Sequence, residues 1–316
     1  MICVVVSILN WENAVDTLEC FRSVRNLDLD GINLKVVIID NCSEDNSWIS
    51  LREGIVGGGY KERISSYKCN QTNHQNDNFE YSIHDEEQSE VYLIRSPVNG
   101  GYASGNNIGI RLGLHLSADY FWILNNDTLV DKYSLLHFER KMRIDPTIGI
   151  CGASVKNYFA PHELQCMGGY RYSAVTGRGW PVNYSGSPPT ISIRNIEKQI
   201  SYINGACMFV SREFINEVGF LNEGYFLYCE EIDWAYRCNG LYRLGFEPDA
   251  IVYHKEGATA GTSSLGNMGS PASEFYQARS KLKFTWEHNK PYLISVSVFL
   301  LLRAAKAFLK GNFDTA

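Results

Sequence analysis

Short apolar runs separated by polar clusters set the rhythm of this chain. Ile2–Leu9 is a β-branched apolar run, the pattern of an interior parallel strand. Residues 10–13 interrupt it, and the spacing of Val15, Leu18, Phe21 and Val24 predicts a helix over about 14–26 with those side chains as its buried stripe. Leu34–Ile39 reads as a second strand ending in the polar stretch Asp40–Ser47, and Val91–Ile94 as a third. Asn99–Asn107 leads into a helix with Ile108, Leu112 and Leu116 on one face. Phe121–Leu124 then forms a strand buried on both faces that runs straight into Asn125, Asn126 and Asp127. Downstream, helices are predicted over 135–143, 212–218 and 230–243, and strands over 148–155, 203–210 and 250–253, the last ending in His254. Strand–helix alternation at this spacing predicts an α/β fold with a mostly parallel, doubly wound sheet and helices on both faces.

Three stretches break the rhythm. Residues 53–89 are rich in Gly, Asn, Gln and acids with little periodicity, so a polar surface insertion or a poorly ordered loop is expected there. Glycines and paired prolines among aromatics over 157–200 suggest hairpins and a loop, and 257–273 is Gly/Ser-rich before the chain turns helical again. The expected division is a catalytic domain over 1–260 and a C-terminal helical region over 261–316.

Composition narrows the partners. A net charge of −6 argues against nucleic acid. The nine cysteines are scattered without a CxxC pair, which favours free thiols in a reducing compartment over disulfides or a zinc site. The first apolar run lacks a basic n-region and a cleavage site, so it is expected to be a core strand and the protein cytoplasmic.

The polar positions at strand ends carry the chemistry. Ligands of open α/β sheets bind beyond the carboxyl ends of the strands. Asp127 stands at such an end, where it can hold a divalent cation against a phosphate; the alternative is a simple Asn-Asn-Asp turn. Asp40 ends another strand and can accept from a pyrimidine N3–H or a ribose hydroxyl, while Asn41, Ser43 and Asp45 would cap the next helix. The glycines at 100, 101, 105 and 109 permit close backbone approach to a sugar or phosphate, or tight helix packing, and do not form a G-x-G-x-x-G fingerprint. Glu230, Glu231 and Asp233 follow an aromatic run. Glu230 and Asp233 share a helix face, Asp233 reaches Arg237 at i,i+4, and Glu231 projects elsewhere, free to act as a base in an aromatic-walled pocket. His254 offers an imidazole that suits manganese better than magnesium.

In their order, these stretches resemble the inverting family-2 glycosyltransferases of GT-A fold, over roughly residues 2–260. Residues 4–10 look like the family's opening strand and nucleotide-side loop, and 37–45 its V-D-N-x-S-x-D segment. Residues 99–109 are similar to the N-x-G-[FY]-A-x-G-x-N-x-G of the rhamnosyltransferase-like branch. Leu124–Asp127 resembles that branch's L-N-x-D, its form of the metal-binding D-x-D. Asn204-Gly205-Ala206 resembles the acceptor-side G-A, and Phe226–Asp233 resembles F-x-Y-x-E-D-x-D, with His254 on the histidine that follows.

The resemblance implies a glycosyltransferase of cell-surface polysaccharide synthesis. It would use a nucleotide-sugar donor, dTDP-rhamnose or UDP-hexose, and a glycan or lipid-linked oligosaccharide acceptor. Asp40 would recognise the base or ribose, with Asn10, Asn99, Gly101, Asn107 and Asn126 also on the donor. Asp127 and His254 would hold Mn²⁺ or Mg²⁺ on the diphosphate. Glu231 would be the general base, with Glu230 competing for that assignment, and Gly205, Trp234 and Glu230 would line the acceptor side. Two departures stand out: Asn125 occupies the first D-x-D carboxylate position, and the base is Glu where Asp is usual. A nucleotidyltransferase and a non-catalytic glycan-binding module are the rival readings.

Past the catalytic region, Tyr292–Leu302 is an apolar run of eleven residues, shorter than the roughly 20 that span a bilayer. Arg303, Lys306 and Lys310 then fall on one face. An amphipathic helix lying peripherally on an anionic membrane is expected, or a helix packed on the domain or in a homodimer contact.

Overall fold

The computed structural model describes residues 1–59, 61–68, 78–86, 89–183, 192–255 and 270–309, with backbone only for 61–68, 78–86 and 89. In chain order the first half comprises β1 (Ile2–Asn10), α1 (Ala14–Arg25), β2 (Ile32–Asp40), α2 (Ser47–Gly57), β3 (Lys61–Lys68), β4 (Asn78–Glu86), β5 (Ser89–Arg95), α3 (Gly101–His115), β6 (Tyr120–Asn125), β7 (Thr128–Val130) and α4 (Ser134–Ile144). There follow β8 (Ile148–Asn157), β9 (Leu164–Met167), β10 (Gly169–Ser173), β11 (Arg178–Pro181), α5 (Ile193–Glu197), β12 (Tyr202–Ile203), β13 (Cys207–Ser211), α6 (Arg212–Val218), α7 (Glu230–Arg237) and β14 (Arg243–His254). The C-terminal part is α8 (Pro271–His288), a 3₁₀ turn at Lys290–Tyr292 and α9 (Leu293–Leu309).

The main sheet runs in the order β3-β4-β5-β2-β1-β6-β13-β8-β14-β7, with β9 beside β8. Its centre, β5-β2-β1-β6, is parallel. The register aligns Asn10 with Asp40 and Leu9 with Asn125, so the polar ends of β1, β2 and β6 share one edge of the sheet. Antiparallel β13 joins β6 to β8, and β8 pairs in parallel with β14. A small sheet, β11-β10-β12, stands apart.

Both faces of the sheet are covered, which is why its central strands read as unbroken apolar runs. One layer packs Val4, Val6, Trp122 and Phe209 against α1, α2 and α4; Phe138 of α4 stacks on Phe209 at 4.9 Å and meets Trp122 edge-on. The other packs Val5, Ile39, Phe121 and Ile123 against α3, α6 and Trp234 of α7. A third, smaller cluster sets Phe284 of α8 against Tyr225, Ile232 and Ala235.

Several elements differ from the sequence expectations. The buried stripe of α1 is Ala14, Thr17, Cys20, Phe21 and Val24, while Val15 is exposed. The polar segment after residue 53 ends α2 and then supplies two antiparallel strands, β3 and β4, that extend the sheet beyond β5. α7 stops at Arg237 rather than reaching 243, and β14 is twelve residues long, with a register shift between Glu247 and Ile251. The apolar tail is no eleven-residue piece: Lys290–Leu309 is helical over 20 residues, long and apolar enough by length and composition to cross a membrane. Arg303 does not share an outward face with Lys306, because it turns inward to pair with Glu274 at 2.7 Å. Lys310 lies outside the described residues.

Candidate active site

A cavity of about 680 Å³ opens at the carboxyl ends of β1 and β6. Its floor is Leu9, Asn125, Asn126 and Asp127; its walls come from Asn99, Gly101 and Tyr102 at the start of α3, from Asn204–Ala206, and from Phe226–Glu231. His254 closes one side, and Ser273 and Tyr276 of α8 the other.

Asp127, just after β6, and His254, at the end of β14, face each other across the cavity. Asp127 is buried, and its Oδ1 has no hydrogen-bond partner. His254 Nε2 stands 3.3 Å from that oxygen. Gln165 on β9 fixes the imidazole: its Nε2 donates to the His254 carbonyl at 3.2 Å and its Oε1 lies 3.0 Å from Nδ1. Because the amide nitrogen is committed to the carbonyl, Oε1 accepts from Nδ1–H, and in the neutral imidazole the Nε2 lone pair then faces the carboxylate. Two lone pairs turned toward each other in a buried place suit a shared cation, and a second-sphere amide of this kind is what orients metal-binding imidazoles. Lys255 anchors the strand end, bonding Asp16 and Glu19 of α1 at 2.5 Å each.

Behind this pair runs a buried polar chain. Asn126 Nδ2 donates to Thr17 Oγ1 at 3.1 Å, Thr17 Oγ1 donates to Asn10 Oδ1 at 2.7 Å, and Asn10 Nδ2 donates to Asp40 Oδ1 at 2.8 Å. Ser43 Oγ also donates to Asp40 Oδ1, at 2.5 Å. Asp40 Oδ2 remains buried without a hydrogen bond, 3.8 Å from Arg95 Nε. Asn10 is therefore spent on holding Asp40. Ser43 likewise serves that carboxylate, whereas Asp45 Oδ1 accepts from the first backbone N–H of α2.

The start of α3 ties the two sides of the cavity together. Gly101 has φ +81°, and a Cβ there would lie 2.0 Å from the Phe226 carbonyl, so only glycine fits. Tyr102 N donates to that carbonyl at 2.8 Å, and its hydroxyl donates to Gly205 O at 2.5 Å. Asn41 Nδ2 donates to Asn99 Oδ1 at 2.9 Å and to Gly101 O at 3.2 Å.

Glu230 and Glu231 open α7 directly after Tyr228 and Cys229, two consecutive non-glycine residues at φ +68° and +73°. Such strain persists only where the surroundings hold it; here the Tyr228 hydroxyl is 2.7 Å from Ser273 Oγ on α8. Glu231 stands against Gly205, where a Cβ would approach Oε1 to 3.3 Å, and its Oε2 is buried and unpartnered. Burial pushes the Glu231 carboxyl up to about 7. Glu230 is held well above the ordinary carboxylate range, by burial first and by Glu231 beside it second. The two carboxyls share one buried place and are both displaced upward; Glu231 is the one that faces Gly205 across the cavity.

Of the residues singled out in the sequence, Asn99, Gly101, Asn126, Asp127, Gly205, Glu230, Glu231 and His254 line one cavity. Two do not. Trp234 is fully buried, with Nε1 donating to Gly219 O at 2.8 Å and its ring edge-on to Phe214, so it is core beneath the site rather than an acceptor contact. Asn107 spends its amide on Leu221 O at 2.9 Å, Glu223 Oε1 at 2.8 Å and Leu221 N at 3.1 Å, and so fixes a loop instead of a donor. Gln165, Thr17 and the α8 residues were not anticipated. Gln165 lies in a stretch whose sequence carries no motif; Thr17 was hidden in a helix face.

Comparison with known proteins bears on this arrangement. No protein-family model matches the chain. It is 27% identical over 166 residues to the low-salt glycan biosynthesis hexosyltransferase Agl10 of Haloferax volcanii, covering 47% of this chain and 46% of that protein. It is 28% identical over 109 residues to the N-acetylglucosaminyl-diphospho-decaprenol L-rhamnosyltransferase of Mycobacterium tuberculosis, covering 33% of this chain and 34% of that one. The matched segments thus span less than half the length of these curated relatives, which are both glycosyltransferases. Among solved structures, the mannosyltransferase PcManGT from Pyrobaculum calidifontis, in complex with GDP-Man and Mn²⁺, superposes with a TM-score of 0.55 at 14% identity over 97% of this chain and 75% of that one. The fold is of the GT-A type.

Proposed function

We propose that this chain is a divalent-metal-dependent glycosyltransferase that moves a hexosyl or deoxyhexosyl group from a nucleotide-diphosphate donor, with inversion, in cell-surface polysaccharide synthesis. The observation that carries the reading is one cavity holding two complementary features. On one side is the Asp127 carboxylate oxygen, without a hydrogen bond, 3.3 Å from the His254 imidazole nitrogen; on the α7 side is a buried carboxyl displaced upward to about 7. The named activities of the two curated relatives support it, as does the Mn²⁺ beside the nucleotide sugar in the mannosyltransferase.

In this reading Asp127 and His254 hold Mn²⁺ or Mg²⁺, with Gln165 fixing the imidazole. The cation, when bound, neutralises charge that grows on the departing diphosphate. Asp40, whose Oδ2 has no hydrogen bond and lies 3.8 Å from Arg95, would take the base or ribose of the donor once the loop above it yields. Asn99, Gly101 and Asn126 line the donor side. Glu231 takes the proton of the acceptor hydroxyl as its oxygen attacks the anomeric carbon. The new C–O bond forms while the bond to the diphosphate breaks, and that electron pair leaves with the nucleoside diphosphate. One displacement with one base gives inversion, through the oxocarbenium-like state common to glycosyl chemistry. Phe226, Leu227 and Tyr228 wall the acceptor side with Gly205 and Glu230. The acceptor is a glycan or a lipid-linked sugar, the second being the chemistry in the name of the mycobacterial relative.

Thermal shift with UDP, dTDP and GDP, with the matching nucleoside triphosphates and with an oligosaccharide, each with and without Mn²⁺, tests the reading. A metal-dependent shift with one diphosphate is expected, together with sugar transfer of inverted anomeric configuration by NMR. A shift only with nucleoside triphosphates points to nucleotidyl transfer, and oligosaccharide binding without nucleotide or metal points to a glycan-binding module; either outcome refutes the proposal.

A further inference from the structure

The C-terminal helix pair carries a surface that the cavity does not use. α9 packs on α8 and on the turn after β10 through one side only. Arg303 pairs with Glu274, Ser295 Oγ donates to Val175 O at 2.7 Å, and Val296 and Ala307 are buried. The opposite side presents Ile294, Val298, Leu301, Leu302, Phe308 and Leu309, all exposed. Their spacing of i, i+4, i+7, i+8, i+14 and i+15 makes one continuous apolar stripe. Only 11% of the most apolar window of this 20-residue helix is buried. A contiguous stripe of this kind marks a surface that something covers.

Charge and aromatic placement say what covers it. Between His288 and Phe313 the sequence carries Lys290, Arg303, Lys306 and Lys310 and no carboxylate, in a chain whose net charge is −6. At the start of the stripe Trp286 and Tyr292 are exposed, with Lys290 Nζ 5.0 Å over the Trp286 ring. Trp, Tyr and Lys at the end of an apolar helix are the composition of a membrane–water boundary, and a cationic segment suits anionic headgroups.

We infer that this face is a docking surface for an anionic lipid bilayer, with α9 lying in the plane of the interface and its apolar stripe among the acyl chains. A spanning orientation is disfavoured by the ties to the domain near both ends of the helix, at Ser295 and at Arg303, and by the cost of taking Arg303 and Lys306 into hydrocarbon. α8 links the surface to the site, since Ser273 and Tyr276 line the cavity and Glu274 holds Arg303. Granting the transfer activity proposed above, an acceptor sugar on a lipid carrier then enters the cavity from the membrane side.

Flotation of the full chain with phosphatidylcholine vesicles, with and without phosphatidylglycerol, tests the surface. Flotation with the anionic vesicles and release by alkaline carbonate are expected. The double substitution Leu301→Glu/Leu302→Glu, at exposed positions, should partition about tenfold less or weaker, with unchanged circular dichroism. Absence of flotation overturns the inference, as does flotation that the double variant retains or that resists carbonate. A dimer in light scattering that the same variant dissociates overturns it too, assigning the stripe to a second copy. The Mn²⁺-dependent nucleotide shift is read on the same samples: a shift without flotation sinks the docking surface alone, and flotation without a shift sinks the transfer reading alone.

Discussion

Replacing Glu231 with Gln tests the base assignment and the electrostatics beneath it in one variant. Gln keeps the shape and removes the charge. General bases contribute typically ~10²–10⁴-fold, so turnover should fall by that factor while Mn²⁺-dependent nucleotide binding stays intact. The same variant carries a stability signature with a definite sign. Burial raises the Glu231 carboxyl in the folded chain to about 7, above its ordinary 4.5. The folded state therefore holds a proton that the unfolded state has already lost, and stability falls as pH rises from about 4.5 through about 7. At about 1.4 kcal/mol per pKa unit the shift corresponds to on the order of 3 kcal/mol across the whole window, shared between Glu231 and the Glu230 coupled to it. Glu231→Gln has no such penalty. Its melting temperature should match the wild type near pH 4 and exceed it by a few degrees at pH 8. The assay is a pair of thermal melts across pH, with single-turnover rates on the same protein. Near-normal turnover sinks the catalytic assignment; a melting difference that is flat with pH sinks the argument that burial controls this carboxyl.

The remaining predictions address the donor side. Asp127→Ala should weaken diphosphate binding in Mn²⁺ and leave no further loss on adding EDTA; isothermal titration that shows unchanged, EDTA-sensitive affinity counts against its role. Gln165→Leu frees the imidazole of His254 and should lower Mn²⁺ affinity by about 10–100-fold, read by Mn²⁺ electron paramagnetic resonance without any turnover. Gly101→Ala puts a Cβ 2.0 Å from the Phe226 carbonyl at φ +81°, and should cost about 3 kcal/mol or more in chemical denaturation, whereas Gly57→Ala, in open space, should cost nothing. Equal midpoints for the two alanines refute the claim that α3 and the 225–228 loop are locked there.

The sheet was legible because its central strands are buried on both faces, and double burial writes itself as the apolar runs of β1, β2 and β6. Site residues at the ends of those runs were legible for the same reason: a polar residue directly after a buried strand stands out. Helix faces were less so. Thr17 is polar yet buried inside α1, and Trp234 is aromatic beside the carboxylates yet serves the core; neither residue type announces which side of the helix it occupies. β3 and β4 were obscured by their high polar content, although the alternation of Phe79, Tyr81 and Ile83 has the period of a strand. Gln165 had no local signal at all. Its role arises from pairing of β9 with β8 and of β8 with β14, a tertiary adjacency that no spacing in the chain encodes.

One side of the cavity is held by Asn41 on Asn99 and Gly101, and on the other Gly205 faces Glu231. A single residue, Tyr102, spans them, with its backbone on Phe226 and its hydroxyl on Gly205. The hydroxyl is the weaker link, because it holds by one hydrogen bond where the backbone is also locked by steric exclusion at Gly101. Removing the hydroxyl therefore releases the Gly205 carbonyl while the Gly101–Phe226 contact stays in place. On the proposed role of Glu231, Tyr102→Phe should lower the single-turnover transfer rate while leaving Mn²⁺-dependent nucleotide affinity unchanged, and equal losses in both refute the division.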